Sequence, residues 1–429
     1  MSIGSAAGAH RSVEAALYPN AELPPGERLR RVRLPERHRA EAGLGVLDIT
    51  KWFGETTGGV KTYLLEKARY VEARPWLRHI LVVPGAHDSI ATGDGVRRYR
   101  LRSPLIPTQH PYRLLFSTDS VRRIVTHERP DVIEVGSPFL VPWITRRATR
   151  GLDVPLVMFF HGNFPRTICP FPERAGPMRR RVDAGVWRYV RRLTREFRVT
   201  IVASDFMASD LERHAAAATP VVKVPLGVDL DHFHPRRRAD ATRTRIGLGL
   251  PTDAPIAAFL GRFAREKEVD LLVRGWETIA AGTDAHLVLV GDGPARRRLQ
   301  AQSRGPRISW LPYQSDREQL ANLLAAIDLL ISPGSIETFG LSALEAAASG
   351  TPVLSADRGG VAEQIRCSGG GALFTAGDAA ALADAARALL RASHDLPRLG
   401  ALARQYAERE HSWSGVFDRI VDVYRRVIA

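Results

Sequence analysis

The chain has 429 residues, 45% hydrophobic and 7% aromatic, which is the profile of a globular protein of two or three domains. Lysine and arginine total 61 against 46 aspartate and glutamate, a net charge of +15. No apolar run reaches the ~20 residues of a membrane span. The first residues lack the apolar core of a signal peptide, and Cys169 and Cys367 offer neither a disulfide framework nor metal-ligand spacing, which fits a reducing cytoplasm. The positive charge reads in three ways: an arginine- and alanine-rich composition, an anionic membrane surface as partner, or nucleic acid. No helix-turn-helix, zinc finger or RNA-binding aromatic signature supports nucleic acid, so none is expected.

Residues 1–42 are polar and read as a basic N-terminal extension. Apolar runs then alternate with helical patterns: 45–49, 79–83, 131–135, 154–160, 199–203 and 221–224 in a first block, and 256–260, 287–290, 308–310, 328–331, 353–356 and 372–374 in a second. Two such blocks imply two doubly wound parallel sheets. The segment 225–233, with its Pro and Gly, reads as a hinge between a domain over 43–225 and one over 226–412. The final helix, 413–428, carries Val416, Ile420, Val423, Tyr424 and Val427 on one face.

Chemistry-bearing residues follow the strands. After the first strand, Gly58 and Gly59 allow close backbone approach at the start of a helix. His161 stands at the carboxyl end of the 154–160 run. Over 176–197, Val182, Val186, Tyr189, Val190, Leu193 and Phe197 recur at helical spacing, and Arg180, Arg181, Arg188, Arg191, Arg192 and Arg195 cover most of the remaining surface. That segment reads either as a domain helix packed on its sheet or as a basic amphipathic helix on anionic lipid. Arg262 and Lys267, five residues apart, follow the 256–260 strand, where doubly wound sheets bind ligands. Arg265 between them reads as exposed. Gly291 stands in the tight turn after 287–290, and Asp292 beside it reads as a helix cap.

The richest stretch is 331–360. A strand, a loop, a glycine-led helix entrance and a further strand follow one another, with Glu337 before the helix and Glu345 two turns in. The N–H groups of Phe339, Gly340 and Leu341 at that entrance suit a phosphate. The two carboxylates suit hydroxyl groups. Phosphates and hydroxyls together describe a nucleotide sugar.

Glu-x7-Glu, Phe-Gly after the first Glu and Gly-x-Pro-Val behind the helix resemble the retaining GT-B glycosyltransferases of family 4, over residues 45–429. The resemblance implies a GT-B fold: two Rossmann-like domains facing a central cleft, with the helix 413–429 crossing back to the first. It implies transfer of a hexose-type sugar from a nucleoside diphosphate sugar, a UDP- or GDP-sugar, to an acceptor hydroxyl whose identity the sequence leaves open. Glu337 then contacts the donor sugar and Glu345 the ribose. Arg262 and Lys267 grip the diphosphate, Gly58 and Gly59 reach it from the other domain, Gly291 lies near the nucleoside and His161 near the transferred sugar. The nucleobase is expected near 311–313. No Asp-x-Asp is seen that would hold a metal between sheet and phosphate, so no metal and no cofactor are expected. The enzyme is expected in the cytoplasm, free or peripheral on the inner face of the membrane. A sugar-phosphate synthase or nucleotide-sugar epimerase on the same fold, or a non-catalytic basic binding protein, stays open. Acceptor profiling and donor hydrolysis separate these readings.

Overall fold

The computed structural model describes residues 8–21, 29, 33–36, 43–54, 58–107, 112–168, 176–215 and 219–429. Two compact units emerge. The first is Met1–Ala203 with Ala208–Val224 and Phe417–Ala429; the second is Ser204–Met207 with Pro225–Val416. Among the described residues no helix is long and apolar enough to cross a membrane.

The first unit holds a nine-stranded sheet: β1 (Asn20–Ala21), β2 (Leu44–Ile49), β3 (Leu77–Gly85), β4 (Ser89–Gly93), β5 (Val96–Arg102), β6 (Val132–Val135), β7 (Leu156–Phe159), β8 (Val199–Val202) and β9 (Val221–Lys223). The spatial order is β1-β4-β5-β3-β2-β6-β7-β8-β9. Strands β5 to β9 in that order pair in parallel, and β3, β6 and β7 are buried along their whole length, as strands covered on both faces must be. The wholly parallel reading needs a correction at one edge, where β4 pairs antiparallel with both β1 and β5. The Asp94-Gly95 turn joins β4 to β5, and β5 reads Val-Arg-Arg-Tyr-Arg-Leu-Arg. Its inward arginines hide a buried strand. Arg97 is paired with Glu128 at 2.8 Å, and Arg98 is paired with Glu14.

Glu14 belongs to the helix Gly8–Leu17, inside the stretch read as an extension. It also meets Lys61 at 3.2 Å and pairs with Arg100. Leu17 and Tyr18 are buried, so this piece is part of the unit's core. The helix Trp413–Ile428 buries Phe417, Ile420 and Tyr424. Phe417 packs its ring 5.4 Å from Tyr63 and 5.3 Å from Tyr70, both on the helix Gly59–Glu72.

Beneath Tyr424 lies a buried polar network. Lys67 Nζ reaches Asp48 at 2.8 Å and the Tyr424 hydroxyl at 2.6 Å. Tyr424 bonds Glu134, Tyr63 donates to Glu134 at 3.2 Å, and His79 Nε2 meets Asp48 at 2.7 Å. Burial acts to raise Asp48, but Lys67 and His79 outweigh it and hold its carboxyl well below the usual range. Burial and the nearby Asp48 charge push Glu134 upward, against Lys67. Asp48 is therefore the charged partner of Lys67.

The second unit is a six-stranded parallel sheet: β10 (Ile256–Leu260), β11 (His286–Val290), β12 (Ile308–Leu311), β13 (Leu329–Ser332), β14 (Val353–Ala356) and β15 (Gly371–Phe374). The order is β12-β11-β10-β13-β14-β15. The chain runs outward from β10 on one side and from β13 on the other. The crevice at the carboxyl ends of β10 and β13 is thus the switch point at which such sheets take ligands. A core of Phe259, Trp276, Leu289 and Leu354 holds these strands in place.

Candidate active site

The second unit brings several of the expected residues to that switch point. Beyond β10, Gly261 leads to Arg262 and then to a single turn, Arg265–Lys267. Beyond β13, the loop 333–340 carries Glu337 to the helix Leu341–Ala348. Lys267 Nζ bonds the Glu337 carboxylate, with the two side chains 29% and 19% exposed. Ser335 Oγ donates to Glu268 at 2.6 Å, which ties the same two loops a second time. Arg262 is 64% exposed, and its guanidinium reaches Glu266 at 2.5 Å. Arg262 and Lys267 therefore each hold a carboxylate here, and Lys267 and Glu337 are partners. Arg265 is exposed.

Gly340 caps the helix at φ +88, with no side-chain cap. A Cβ there would lie 2.2 Å from Val361 Cγ2, so both the backbone angle and the space call for glycine. Gly360 N–H donates to the Glu337 carbonyl at 2.7 Å, and Gln364 donates to the Phe339 carbonyl at 2.6 Å. These bonds fix the entrance from behind. Among the described residues, no acceptor takes the N–H of Phe339, Gly340 or Leu341. Those groups lie at the positive end of the helix, where an anion is favoured. The Phe339 side chain is buried with its ring 5.7 Å from His411, so it anchors the loop while its backbone faces the entrance.

Glu345 is half-buried one helical turn beyond. Burial pushes its carboxyl up to about 7, with Arg317 pulling the other way. It therefore changes charge near neutral pH, and it can accept from or donate to a hydroxyl.

Gly291 has a reason beyond ligand approach. At φ +139 its missing Cβ would lie 2.0 Å from the Gly261 carbonyl, so the turns after β10 and β11 interlock. Arg296 was not singled out by the sequence reading. It bonds the Gly291 carbonyl at 2.5 Å and lies over Phe263 and Trp310. Its position in a run of three arginines gave little to distinguish it. Asp292 does not cap a helix: the next one starts at Arg296 with Ala295 as its cap, and the Asp292 carboxylate accepts from Gly293 N–H at 2.7 Å. Tyr313, just past β12, is 38% exposed.

In the first unit, Gly58 caps the helix Gly59–Glu72, and both glycines are exposed. A Cβ on Gly58 would meet only the Tyr112 hydroxyl, at 3.7 Å, so its backbone is open to approach. Lys61 Nζ donates to the Gly54 carbonyl at 3.2 Å and so spans the loop; Glu55, Thr56 and Thr57 lie outside the described residues. His161 follows β7 with its ring stacked on Phe159 at 4.1 Å and 5.2 Å from Tyr63. Burial pushes it down to about 3, so the imidazole is neutral at physiological pH. It can give or take a hydrogen bond there but carries no charge. Among the described residues, no three His, Cys, Asp or Glu side chains gather as a metal site.

Comparison with known proteins agrees with this geometry. Residues 57–232 match the family described as Glycosyltransferase Family 4, and residues 240–406 match Glycosyl transferases group 1. A GDP-mannose-dependent alpha-(1-6)-phosphatidylinositol dimannoside mannosyltransferase of Mycobacterium tuberculosis is 31% identical over 327 residues, covering 76% of this chain and 82% of that protein. A GDP-mannose-dependent alpha-mannosyltransferase of the same species is 32% identical, covering 80% and 85%. Among solved structures, a sucrose-phosphate synthase from Thermosynechococcus elongatus shares the fold with a TM-score of 0.73 at 23% identity, over 90% of this chain and 99% of that one. Two parallel-dominated sheets, a glycine-led entrance at a switch point and these likenesses identify the chain as a member of the group 1 glycosyl transferases, a glycosyltransferase of the GT-B fold.

Proposed function

We propose that this enzyme moves a hexose, mannose before others, from a GDP-sugar to an acceptor hydroxyl, with retention of configuration and without a metal ion. The observation that carries the reading is the Lys267–Glu337 pair beside the open helix entrance at Gly340. A nucleoside diphosphate sugar brings a partner for each member. Its phosphates draw the ammonium, and its sugar hydroxyls draw the carboxylate. Arg262 forks onto the diphosphate from its exposed position, and the entrance N–H groups supply further positive field. Glu345 takes the ribose hydroxyls. The two mannosyltransferase relatives both depend on GDP-mannose, which supports guanosine over uridine.

In this reading the bond from the anomeric carbon to the leaving phosphate breaks while the acceptor oxygen bonds the same face. The acceptor proton passes to the departing phosphate. Lys267 and Arg262 favour that step because the charge they face grows during it. Residues 226–412 serve the donor. Residues 43–225 with 413–429 serve the acceptor, and there Gly58 and Gly59 offer backbone N–H groups and neutral His161 a hydrogen bond. The enzyme works in the cytoplasm, on the inner face of an anionic membrane when the acceptor is a lipid.

Calorimetry with GDP, UDP and ADP, followed by chromatography of sugar released or transferred from GDP-mannose and UDP-glucose, tests the reading. Preferred binding of GDP and turnover of GDP-mannose support it. Tight UDP binding with no GDP binding rejects the donor, and the absence of transfer or hydrolysis with any nucleotide sugar rejects the reaction.

A further inference from the structure

The helix Gly176–Thr194 buries only Val190, Leu193 and Thr194 in its core-facing stripe. Its other side borders a cavity of about 580 Å³, within the range of small-ligand sites. Arg180, Trp187, Arg188 and Arg191 line it from this helix, and Arg213 and His214 from the end of the helix Asp205–Ala215. Trp187 stacks on His214 with ring centroids 4.8 Å apart, and Arg191 Nε donates to the Ala215 carbonyl at 3.0 Å. Those two contacts hold the helices together at the cavity.

The charges at this place do not balance. Arg166 is clamped by Asp210 at 2.7 and 2.8 Å, and Arg179 meets Asp183 at 3.4 Å. Among the described residues, no ion pair matches Arg180, Arg188, Arg191 or Arg213, and all four are exposed. Four guanidinium groups around one hollow repel one another unless an anion joins them. Guanidinium forks match phosphate oxygens in pairs, and a phosphate can serve several forks at once.

We propose that this cavity is a binding site for a phosphate group, carried either by a soluble phosphorylated molecule or by a lipid headgroup. It sharpens the membrane reading above and rests on that reading only for the lipid source, not on the donor chemistry.

Glycerol phosphate and phosphatidylglycerol offer the same headgroup in the two forms. Calorimetry with glycerol phosphate and co-sedimentation with phosphatidylcholine vesicles, with and without phosphatidylglycerol, test the full-length protein. Wild type is compared with an Arg188→Gln, Arg213→Gln double variant and with an Arg243→Gln, Arg398→Gln control of equal charge loss. Circular dichroism and melting temperature confirm that each is folded. Binding of glycerol phosphate that weakens about tenfold or more in the double variant supports the site with a soluble ester. Binding confined to phosphatidylglycerol vesicles and lost in the double variant supports it with a lipid. No binding of either probe, unchanged binding by the double variant, or equal weakening by the control overturns the proposal. GDP affinity, measured on the same proteins, is expected to stay unchanged; its absence in wild type would count against the donor reading alone.

Discussion

Lys267 donates from its ammonium to the carboxylate of Glu337, 70 positions further along the chain. The pair closes the turn after β10 onto the loop after β13, and both side chains keep some contact with solvent. Solvent reaches both charges, and solvent-screened ion pairs contribute little, about 0–1 kcal/mol when fully exposed. The pair is thus cheap to separate, which suits the proposed reading, in which each member exchanges the other for a substrate group.

In the proposed mechanism, replacing Lys267 or Arg262 with Ala removes a cation beside the charge that grows on the leaving diphosphate. Loss of one such contact costs about 10²–10³ in kcat. Steady-state rates within a few-fold of wild type for both variants would remove these residues from the assigned role.

If Glu345 takes the ribose as proposed, Glu345→Ala should weaken binding of bare GDP. If the proposed partner of Glu337 is the sugar, Glu337→Ala should leave GDP affinity nearly intact and lower turnover. Titration calorimetry with GDP separates the two. Equal losses of affinity would refute the division of labour.

Burial of Glu345 also gives the protein a pH signature. A free glutamate titrates near about 4.3, whereas this one is pushed up to about 7. The folded protein keeps a proton that the unfolded chain has already released. The stability so gained is full below the unfolded value and is lost as the pH rises through the folded one. Glu345→Gln, which stays neutral, should therefore raise the melting temperature more at about pH 8 than at about pH 5. The same shift at both would show that Glu345 is not held protonated.

Activity should survive EDTA if, as proposed, Arg262, Lys267 and the helix entrance counter the diphosphate charge in a metal's stead. Complete loss with EDTA, restored by Mg²⁺ or Mn²⁺, would point to ligands outside this set.

Tyr424→Phe removes the hydroxyl that bonds both Lys67 and Glu134. A buried polar group left without its partner costs about 1–3 kcal/mol. Urea denaturation should show a loss of that size, and unchanged stability would mean that the network closes without Tyr424.

The second unit was nearly legible from sequence because its strands are short apolar runs separated by glycine-led turns. Gly261 and Gly291 stand at strand ends and Gly340 at a helix entrance, all at positive φ, where backbone geometry leaves few other choices. The β4–β5 hairpin was not legible, although Asp94-Gly95 is a hairpin signal. Its strand carries Arg97 and Arg98 inward, and partners far off in sequence, Glu128 and Glu14 among them, make that burial tolerable. The role of residues 8–18 was hidden for the same reason. In the site, residue types and spacing picked out Lys267 and Glu337 one by one. Their bond was not visible, because it joins two loops through the sheet order and not through the sequence. Arg296 was missed because its neighbours are also arginines.

The place of Phe417 and Tyr424 in the first unit sets an order on biosynthesis. A ribosome delivers β2, β6 and the helix Gly59–Glu72 long before Tyr424, which lies 357 positions after Lys67. During that interval Tyr63 and Tyr70 lack the ring of Phe417, and Lys67 and Glu134 lack the Tyr424 hydroxyl. The usual sequence, in which the domain made first is finished first, is inverted here. All six strands of the second unit leave the ribosome while the first unit still waits for its last helix, so a nascent chain stopped short of residue 417 is the form that chaperones should hold longest.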